Sequence, residues 1–313
     1  MMSKGWTKND IGDLTGKVVL VTGANSGLGY ETCLALAEKN AIVVLAVRNL
    51  NKGLEAIDKI KAVVPEAKCH AMQLDMNDLS SIREFVHQFK ARYNSLSILI
   101  NNAGIMASSY QQTKDGFESQ MGINYLGHFA LTGLLLDLLI KTPNSRVVSV
   151  GSLIAHKIKP EFHNFKGSKR MKPIKYYGES KLACMLFAKE LQYRFRLHNM
   201  ETKSIVCHPG ISQTKLFARG SNKLKRKLTR ASVKFVGQGA ETGAYPILYA
   251  ATSPNIRGGE YIGPDGRGGS KGAPTELEII DELYNEHVAS NLWKISETLT
   301  GVTYKFKNEQ KVL

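Results

Sequence analysis

Tyr177 and Lys181 stand four positions apart in the run Tyr177-Gly178-Glu179-Ser180-Lys181. On a helix that spacing puts both side chains on one face. A phenol ordinarily titrates near ~10, and a neighbouring ammonium favours its phenolate form. Such a pair can carry a proton to or from an oxygen near neutral pH. Tyr176 is five positions before Lys181 and falls off the shared face. The spacing alone recurs by chance, so its weight depends on the elements that place it.

A second group of residues can do chemistry at residues 22–29, which read Thr22-Gly23-Ala24-Asn25-Ser26-Gly27-Leu28-Gly29. Glycines lack a Cβ and let the backbone take positive φ and approach a pyrophosphate. A helix that begins at such a turn offers free N–H donors and the positive end of its dipole to phosphates. Asn25 and Ser26 can add hydrogen bonds. The strand expected after the first helix ends Ala46-Val47-Arg48, with no acid until Glu55. An acid at that position would hold a ribose 2′-hydroxyl, as in NAD enzymes. Arg48 instead offers a bidentate fork to a 2′-phosphate, which points to NADP. A phenol–ammonium pair beside a dinucleotide turn fits interconversion of a carbonyl and an alcohol, the hydride coming from the nicotinamide.

The elements that must position these groups follow from hydrophobic pattern. Residues 17–22 contain an unbroken β-branched run, as suits a parallel strand covered on both faces. Helix is expected at 30–39, strand at 41–47, helix at 51–63, strand at 67–74, and helix from Asp78 to Tyr93. A strand ending at Asn102, one long helix over 117–140, and a strand ending at Ser152 follow. Residues 153–173 read as irregular, 176–198 as helix, and the stretch from Lys203 as strand. This alternation implies right-handed βαβ units: an α/β, single-domain, Rossmann-type doubly wound parallel sheet with helices on both faces. The tyrosine–lysine pair then opens the helix after the fifth strand. No internal repeat or linker divides the 313 residues. Residues 1–16 are expected to form a loose N-terminal arm.

Composition narrows the function classes. Apolar content of 43% supports a sizeable core and charged content of 22% is ordinary. Cys33, Cys69, Cys184 and Cys207 show neither CxxC nor metal-ligand spacing, so reduced thiols and no metal are expected. The first residues carry no apolar segment of the secretory kind, and the longest apolar stretch, 130–140, contains Gly133 and Asp137 and is too short to span a bilayer. A cytoplasmic location is expected. The net charge is +15, much of it in 219–234, where Arg219, Lys223, Lys225, Arg226, Lys227, Arg230 and Lys234 stand without an acid. That run reads as a solvated helix face, with a weak membrane-surface contact or steering of an anionic cofactor as the sharper alternatives. Sparse aromatics and the lack of a recognition motif argue against nucleic acid.

The spacing TGxxxGxG at 22–29, with Asn101-Asn102-Ala103-Gly104 and the YxxxK pair, resembles the short-chain dehydrogenase/reductase family over roughly 17–262. The resemblance implies several roles. Ser152, rather than Ser149, would hydrogen-bond the substrate oxygen. Asn124 would hold a water that relays protons to Lys181, the alternative being a helix-kinking structural asparagine. Asp75 would meet the adenine amino group, the alternative being a turn or N-cap residue. Ala103 and Gly104 would leave room for the cofactor, with Asn102 tying strands or touching adenosine. In His208-Pro209-Gly210 the backbone would lie near the nicotinamide carboxamide, and Thr214 would bond that amide or a phosphate.

Ser152 and Tyr177 are 25 positions apart, about twice the gap of compact members. This insertion at 153–175, with Ala46-Val47-Arg48-Asn49 and Leu292-Trp293-Lys294-Ile295-Ser296-Glu297, looks like the retinol dehydrogenase-like branch and implies a lipophilic substrate. Residues 211–240 would cover the substrate, and 270–313 form a C-terminal extension. The helices beginning near Phe117 and Tyr176 pair subunits in many members, which makes a homodimer or homotetramer one option; the lipophilic branch also contains monomers, and the sequence does not decide between them. A non-catalytic NADP(H)-sensing protein and a peripheral membrane-surface protein are the competing readings. Sensors of this kind usually lack the tyrosine or the lysine, and this chain has both.

Overall fold

The computed structural model describes residues 5–159, 162–170, 172–211, 239–278 and 284–306. Its strands are β1 (Val18–Thr22), β2 (Ile42–Val47), β3 (Lys68–Gln73), β4 (Ile98–Asn101), β5 (Arg146–Val150), β6 (Lys203–Cys207), β7 (Tyr261–Pro264) and β8 (Pro274–Glu276). They form one sheet in the order β3-β2-β1-β4-β5-β6-β7-β8. Pairing is parallel except for β8, which runs antiparallel to β7 at the edge. The order reverses between β1 and β4, which opens a crevice at the carboxyl ends of those strands.

The helices are α1 (Gly27–Ala37), α2 (Leu50–Val63), α3 (Leu79–Arg92), α4 (Gly127–Leu134), α5 (Leu136–Lys141), α6 (Pro173–Leu197), α7 (Ala240–Thr252) and α8 (Glu286–Thr300). Every residue of β1 is buried. Side chains alternate across a strand, so one apolar run feeds two cores. Val18 and Leu20 join Phe85, Phe89, Leu131 and Leu186 on one face. Val19 and Val21 join Leu36, Ile57 and Ile247 on the other. Each fully buried aliphatic or phenylalanine side chain contributes about 1.5–3 kcal/mol. A strand serving two cores therefore has to be apolar throughout, as residues 18–21 are.

The helix expected over 117–140 is not continuous. Met121–Leu126 are π-helical, α4 follows, and the chain breaks at Leu135 (φ −98°, ψ 2°) before α5. The Tyr304 hydroxyl donates to the Phe129 carbonyl at 2.7 Å, inside the ladder of α4. The Tyr304 ring also lies where a Cβ on Gly133 would stand, 2.6 Å away. A side chain inserted into the helical ladder is a common cause of such a break.

The N-terminal arm is docked, not loose, over its described residues. Thr7 and Asp10 close a capping box on a short 3₁₀ turn. Trp6 meets Tyr249 edge-on at 5.4 Å, and Ile11 is buried. Lys8 bridges Glu38 of α1 and Glu241 of α7, at 3.2 and 3.3 Å. All four cysteines are free and buried. Among the described residues no helix is long and apolar enough to cross a membrane.

Candidate active site

The crevice between β1 and β4 is a cleft of about 510 Å³. One wall is the glycine turn. Gly23 (φ 65°) and Gly27 (φ 58°) sit in the left-handed region. A Cβ on Gly29 would stand 2.5 Å from the Gly23 carbonyl and 2.7 Å from Asn102 Nδ2. Helix α1 begins inside this turn, three residues earlier than expected, and the Ser26 side chain makes no capping bond. The first N–H groups of α1 are thus left for a ligand. Asn25, Ser26 and Leu28 line the same wall.

Asn102 closes the floor. Its N–H donates to Thr22 Oγ1 at 2.9 Å and its Nδ2 donates to the Thr22 carbonyl at 2.7 Å. Asn102 therefore ties β4 to β1 while also lining the cleft with Ala103 and Gly104.

At the far end of β2, Arg48 is exposed and lines the cleft. Asn49 caps α2 by accepting the Lys52 N–H at 3.1 Å. Asn49 and Lys52 line the cleft beside Arg48. Gly53 lets this first turn of α2 press on β2 and β3, since a Cβ there would stand 2.7 Å from Val47 and 3.0 Å from Ala71. Asp75 is the one acid among the described lining residues. Its Oδ1 accepts the Asn77 N–H at 3.1 Å, so it is a turn residue as well as a wall of the cleft.

At the other end stand Ser152, Tyr177 and Lys181. Helix α6 opens at Pro173, whose missing N–H costs nothing at a first turn. Tyr177 and Lys181 are buried to 6% and 5% exposure, yet both reach the cleft. Lys181 Nζ donates to the Val150 carbonyl at 2.7 Å. Tyr176 is turned away: its hydroxyl donates to the Ser168 carbonyl at 3.2 Å. Ser152 precedes a short 3₁₀ turn without capping it, whereas Ser149 Oγ is buried with no partner among the described residues.

Asn124 stands behind this end, in the π-helical stretch. Its Nδ2 donates to the Ile105 carbonyl at 3.0 Å and to Ser180 Oγ at 2.9 Å, and its Oδ1 accepts the Ile105 N–H at 2.8 Å. The distortion expected of a helix-kinking asparagine is present. What is left for a relay is the second lone pair of Oδ1. It faces the space over Gly104, where a Cβ would stand 3.3 Å from Oδ1 and 3.5 Å from Lys181 Nζ.

Pro209 and Gly210 complete the wall, with Gly210 at φ 65° donating its N–H to His208 Nδ1 at 3.1 Å. Described residues of the 153–175 segment pack beside α6 and the stretch before the π-helical turn: Ile158 lies 2.6 Å from where a Cβ on Gly178 would stand, and the Glu118 N–H donates to the Phe165 carbonyl at 2.7 Å. Thr214, the basic run 219–234 and most of 211–240 lie outside the described residues.

The family model described as "short chain dehydrogenase" matches residues 17–225. The chain belongs to the short-chain dehydrogenases. It is 38% identical over 303 residues to retinol dehydrogenase 11 of Mus musculus, covering 96% of this chain and 92% of that protein. It is 32% identical over 296 residues to polyprenol dehydrogenase of Homo sapiens, covering 91% of this chain and 86% of the relative. A crystal structure of an uncharacterized protein from Mycobacterium paratuberculosis superposes with a TM-score of 0.78 at 35% identity, covering 96% of this chain and all (100%) of that one. This short-chain dehydrogenase is of the retinol dehydrogenase-like kind, an oxidoreductase acting on alcohol or carbonyl groups with a nicotinamide cofactor.

The cleft of this short-chain dehydrogenase fits that cofactor on its own geometry: glycines where a Cβ would collide, an uncapped helix start, and two cations at the end of β2. Lys52 and Asn49 are lining residues that sequence reasoning passes over. The available signal is helical spacing, since Lys52 follows Arg48 by one turn and precedes the glycine that lets α2 approach the sheet.

Two buried histidines give this dehydrogenase a pH signature. Burial, reinforced by the Lys181 charge, pushes His128 down from its ordinary 6.5 to about 4, against a backbone hydrogen bond that favours the proton. Burial, with His156 nearby, pushes His208 down to about 3. Below about pH 6.5 the unfolded chain binds protons at both sites and the folded chain does not, so stability falls as pH drops towards 4. Each imidazole is worth about 2 kcal/mol between pH 7 and pH 5. Urea denaturation at pH 7 and pH 5 measures the loss. His208→Asn, which can still accept the Gly210 N–H, is expected to remove about half of it; an unchanged slope counts against His208.

Proposed function

We propose that this short-chain dehydrogenase interconverts a lipophilic carbonyl and its alcohol with NADP(H), Tyr177 acting as acid/base with the Lys181 ammonium beside it. The observation that carries the reading is one cleft with Arg48 and Lys52 at one end and Ser152, Tyr177 and Lys181 at the other. A nicotinamide bound there supplies or accepts the hydride. The Ser152 hydroxyl donates to the substrate oxygen and holds it in reach of Tyr177. Tyr177 gives its phenolic proton to that oxygen in reduction and takes it back in oxidation. The Lys181 ammonium, fixed by the Val150 carbonyl, stabilises the phenolate that forms. Asn124 and Lys181 flank the route by which the phenol is reprotonated. The glycine turn and the start of α1 hold the pyrophosphate, Asp75 meets the adenine, and Pro209-Gly210 supports the carboxamide end.

NADP over NAD rests on charge. Arg48 and Lys52 place two cations at the ribose end, and the lining residues offer no carboxylate beside them for a 2′-hydroxyl. A lipophilic substrate is supported by the names of the relatives, since retinol and polyprenol are both long apolar alcohols. An NADPH-oxidation screen over aliphatic, aromatic, retinoid and steroid carbonyls tests the activity.

Arg48→Asp is expected to raise KM for NADPH by about ten- to a hundredfold and to improve the use of NADH, as loss of a charge-assisted bond implies. Lys52→Ala is expected to act in the same direction but more weakly, because an ammonium lacks the bidentate fork. Steady-state kinetics with both cofactors decides; an unaltered NADPH to NADH ratio in the Arg48 variant rules out the phosphate contact.

A further inference from the structure

His128 lies in α4, 4% exposed, and none of the roles above uses it. Its Nδ1 is 2.8 Å from the Asn124 carbonyl, and its Nε2 is 2.9 Å from Thr22 Oγ1. A carbonyl can only accept, so Nδ1 carries the hydrogen. A neutral imidazole then has a bare Nε2, which must accept. The Thr22 hydroxyl has one proton and two lone pairs. Both lone pairs are filled, by the Asn102 N–H and the Ala103 N–H, each at 2.9 Å. Its proton can go to the Ile100 carbonyl at 3.3 Å or to His128 Nε2 at 2.9 Å. The nearer acceptor is the ring, and proton bookkeeping closes without a remainder.

The chain of bonds joins two parts of the site that no backbone ladder connects. At one end, Thr22 fixes the Asn102–Ala103 backbone on which Gly23 rests, since a Cβ on Gly23 would stand 3.0 Å from Ala103 Cα. At the other, the Asn124 carbonyl is taken by His128 and by the Cys184 thiol, which donates at 3.2 Å. Those bonds hold the π-helical turn that aims the Asn124 side chain at Ile105 and Ser180.

We propose that His128 is a positioning residue, held as the neutral Nδ1–H tautomer, that locks the floor of the dinucleotide cradle to the helix turn carrying Asn124. Its two nitrogens have separable effects: Nε2 sets the cradle and Nδ1 sets the turn. The inference rests on the cleft being the site of the nicotinamide dinucleotide.

Two substitutions in the full-length protein separate the halves. His128→Asn keeps a donor for the carbonyl one turn back and loses the partner of Thr22. It is expected to raise KM for NADPH about three- to tenfold with kcat near that of the parent. His128→Gln keeps an acceptor for Thr22 and loses the bond to Asn124. It is expected to lower kcat by a similar factor with KM for NADPH nearly unchanged. Parallel changes of both parameters in both variants, or no change in either, overturn the proposal. Should neither variant fold, ¹⁵N NMR of the imidazole in the parent protein decides. A protonated Nδ1 and bare Nε2 that persist down to about pH 5 support it, and a hydrogen on Nε2 overturns it. A parent protein that carries this tautomer but binds no NADPH refutes the cofactor reading instead.

Discussion

Tyr177→Phe is expected to lower kcat by about a hundred- to ten-thousandfold, the range spanned by a positioned acid or base, while NADPH binding changes by no more than a few-fold. Only a hydroxyl is removed. The ring stays to fill its buried site at the mouth of α6, and Lys181 keeps its bond to the Val150 carbonyl. Steady-state turnover with a fluorescence titration of NADPH measures both quantities on one preparation. Tyr176→Phe is the natural comparison, because its hydroxyl serves the Ser168 backbone outside the cleft and its loss should leave turnover close to that of the parent. A Tyr177 variant that still turns over at the parental rate assigns the proton to another group.

The second large effect concerns stability. Trp293→Ala is expected to cost about 3–5 kcal/mol, as for other fully buried aromatic side chains cut back to alanine. Trp293 is 2% exposed and meets Tyr304 at 4.5 Å, Phe129 at 5.1 Å and Phe187 at 5.9 Å between ring centroids. The Arg194 guanidinium covers its ring at 4.2 Å. These contacts join α8 to α4 and α6. The indole N–H is buried with no hydrogen-bond partner among the described residues. Trp293→Phe therefore discards a donor that gains nothing from burial and should cost much less than the alanine change. Chemical denaturation followed by circular dichroism supplies the numbers, and a loss below about 1 kcal/mol for the alanine variant means that the C-terminal helix is not part of the cooperative unit.

The sequence was most readable where one local rule decides the outcome. The β-branched run at 18–21 has to be a doubly covered strand. The glycines at 23, 27 and 29 have to be a turn that something approaches closely. The spacing of Tyr177 and Lys181 has meaning only on a helix, and α6 supplies it. Reading failed where distant residues decide. The interrupted helix lies against Tyr304, whose hydroxyl takes a helical carbonyl across 175 positions of chain. The docked arm depends on Trp6 finding Tyr245 and Tyr249 of α7, at 6.2 and 5.4 Å. No pattern within residues 5–16 announces that contact. Lys52 is inconspicuous for a different reason: a surface lysine on an amphipathic helix has an ordinary explanation, and only the shape of the cleft adds another.

The C-terminal helix has a consequence for the helix that carries Tyr177 and Lys181. Helices α4 and α6, which correspond to the pair that joins subunits in many members, are overlaid by the chain's own Trp293 and Tyr304. The brace against the back of α6 is thus intramolecular, and mass action has no hold on it. However dilute the protein becomes, the support behind Tyr177 and Lys181 travels with it.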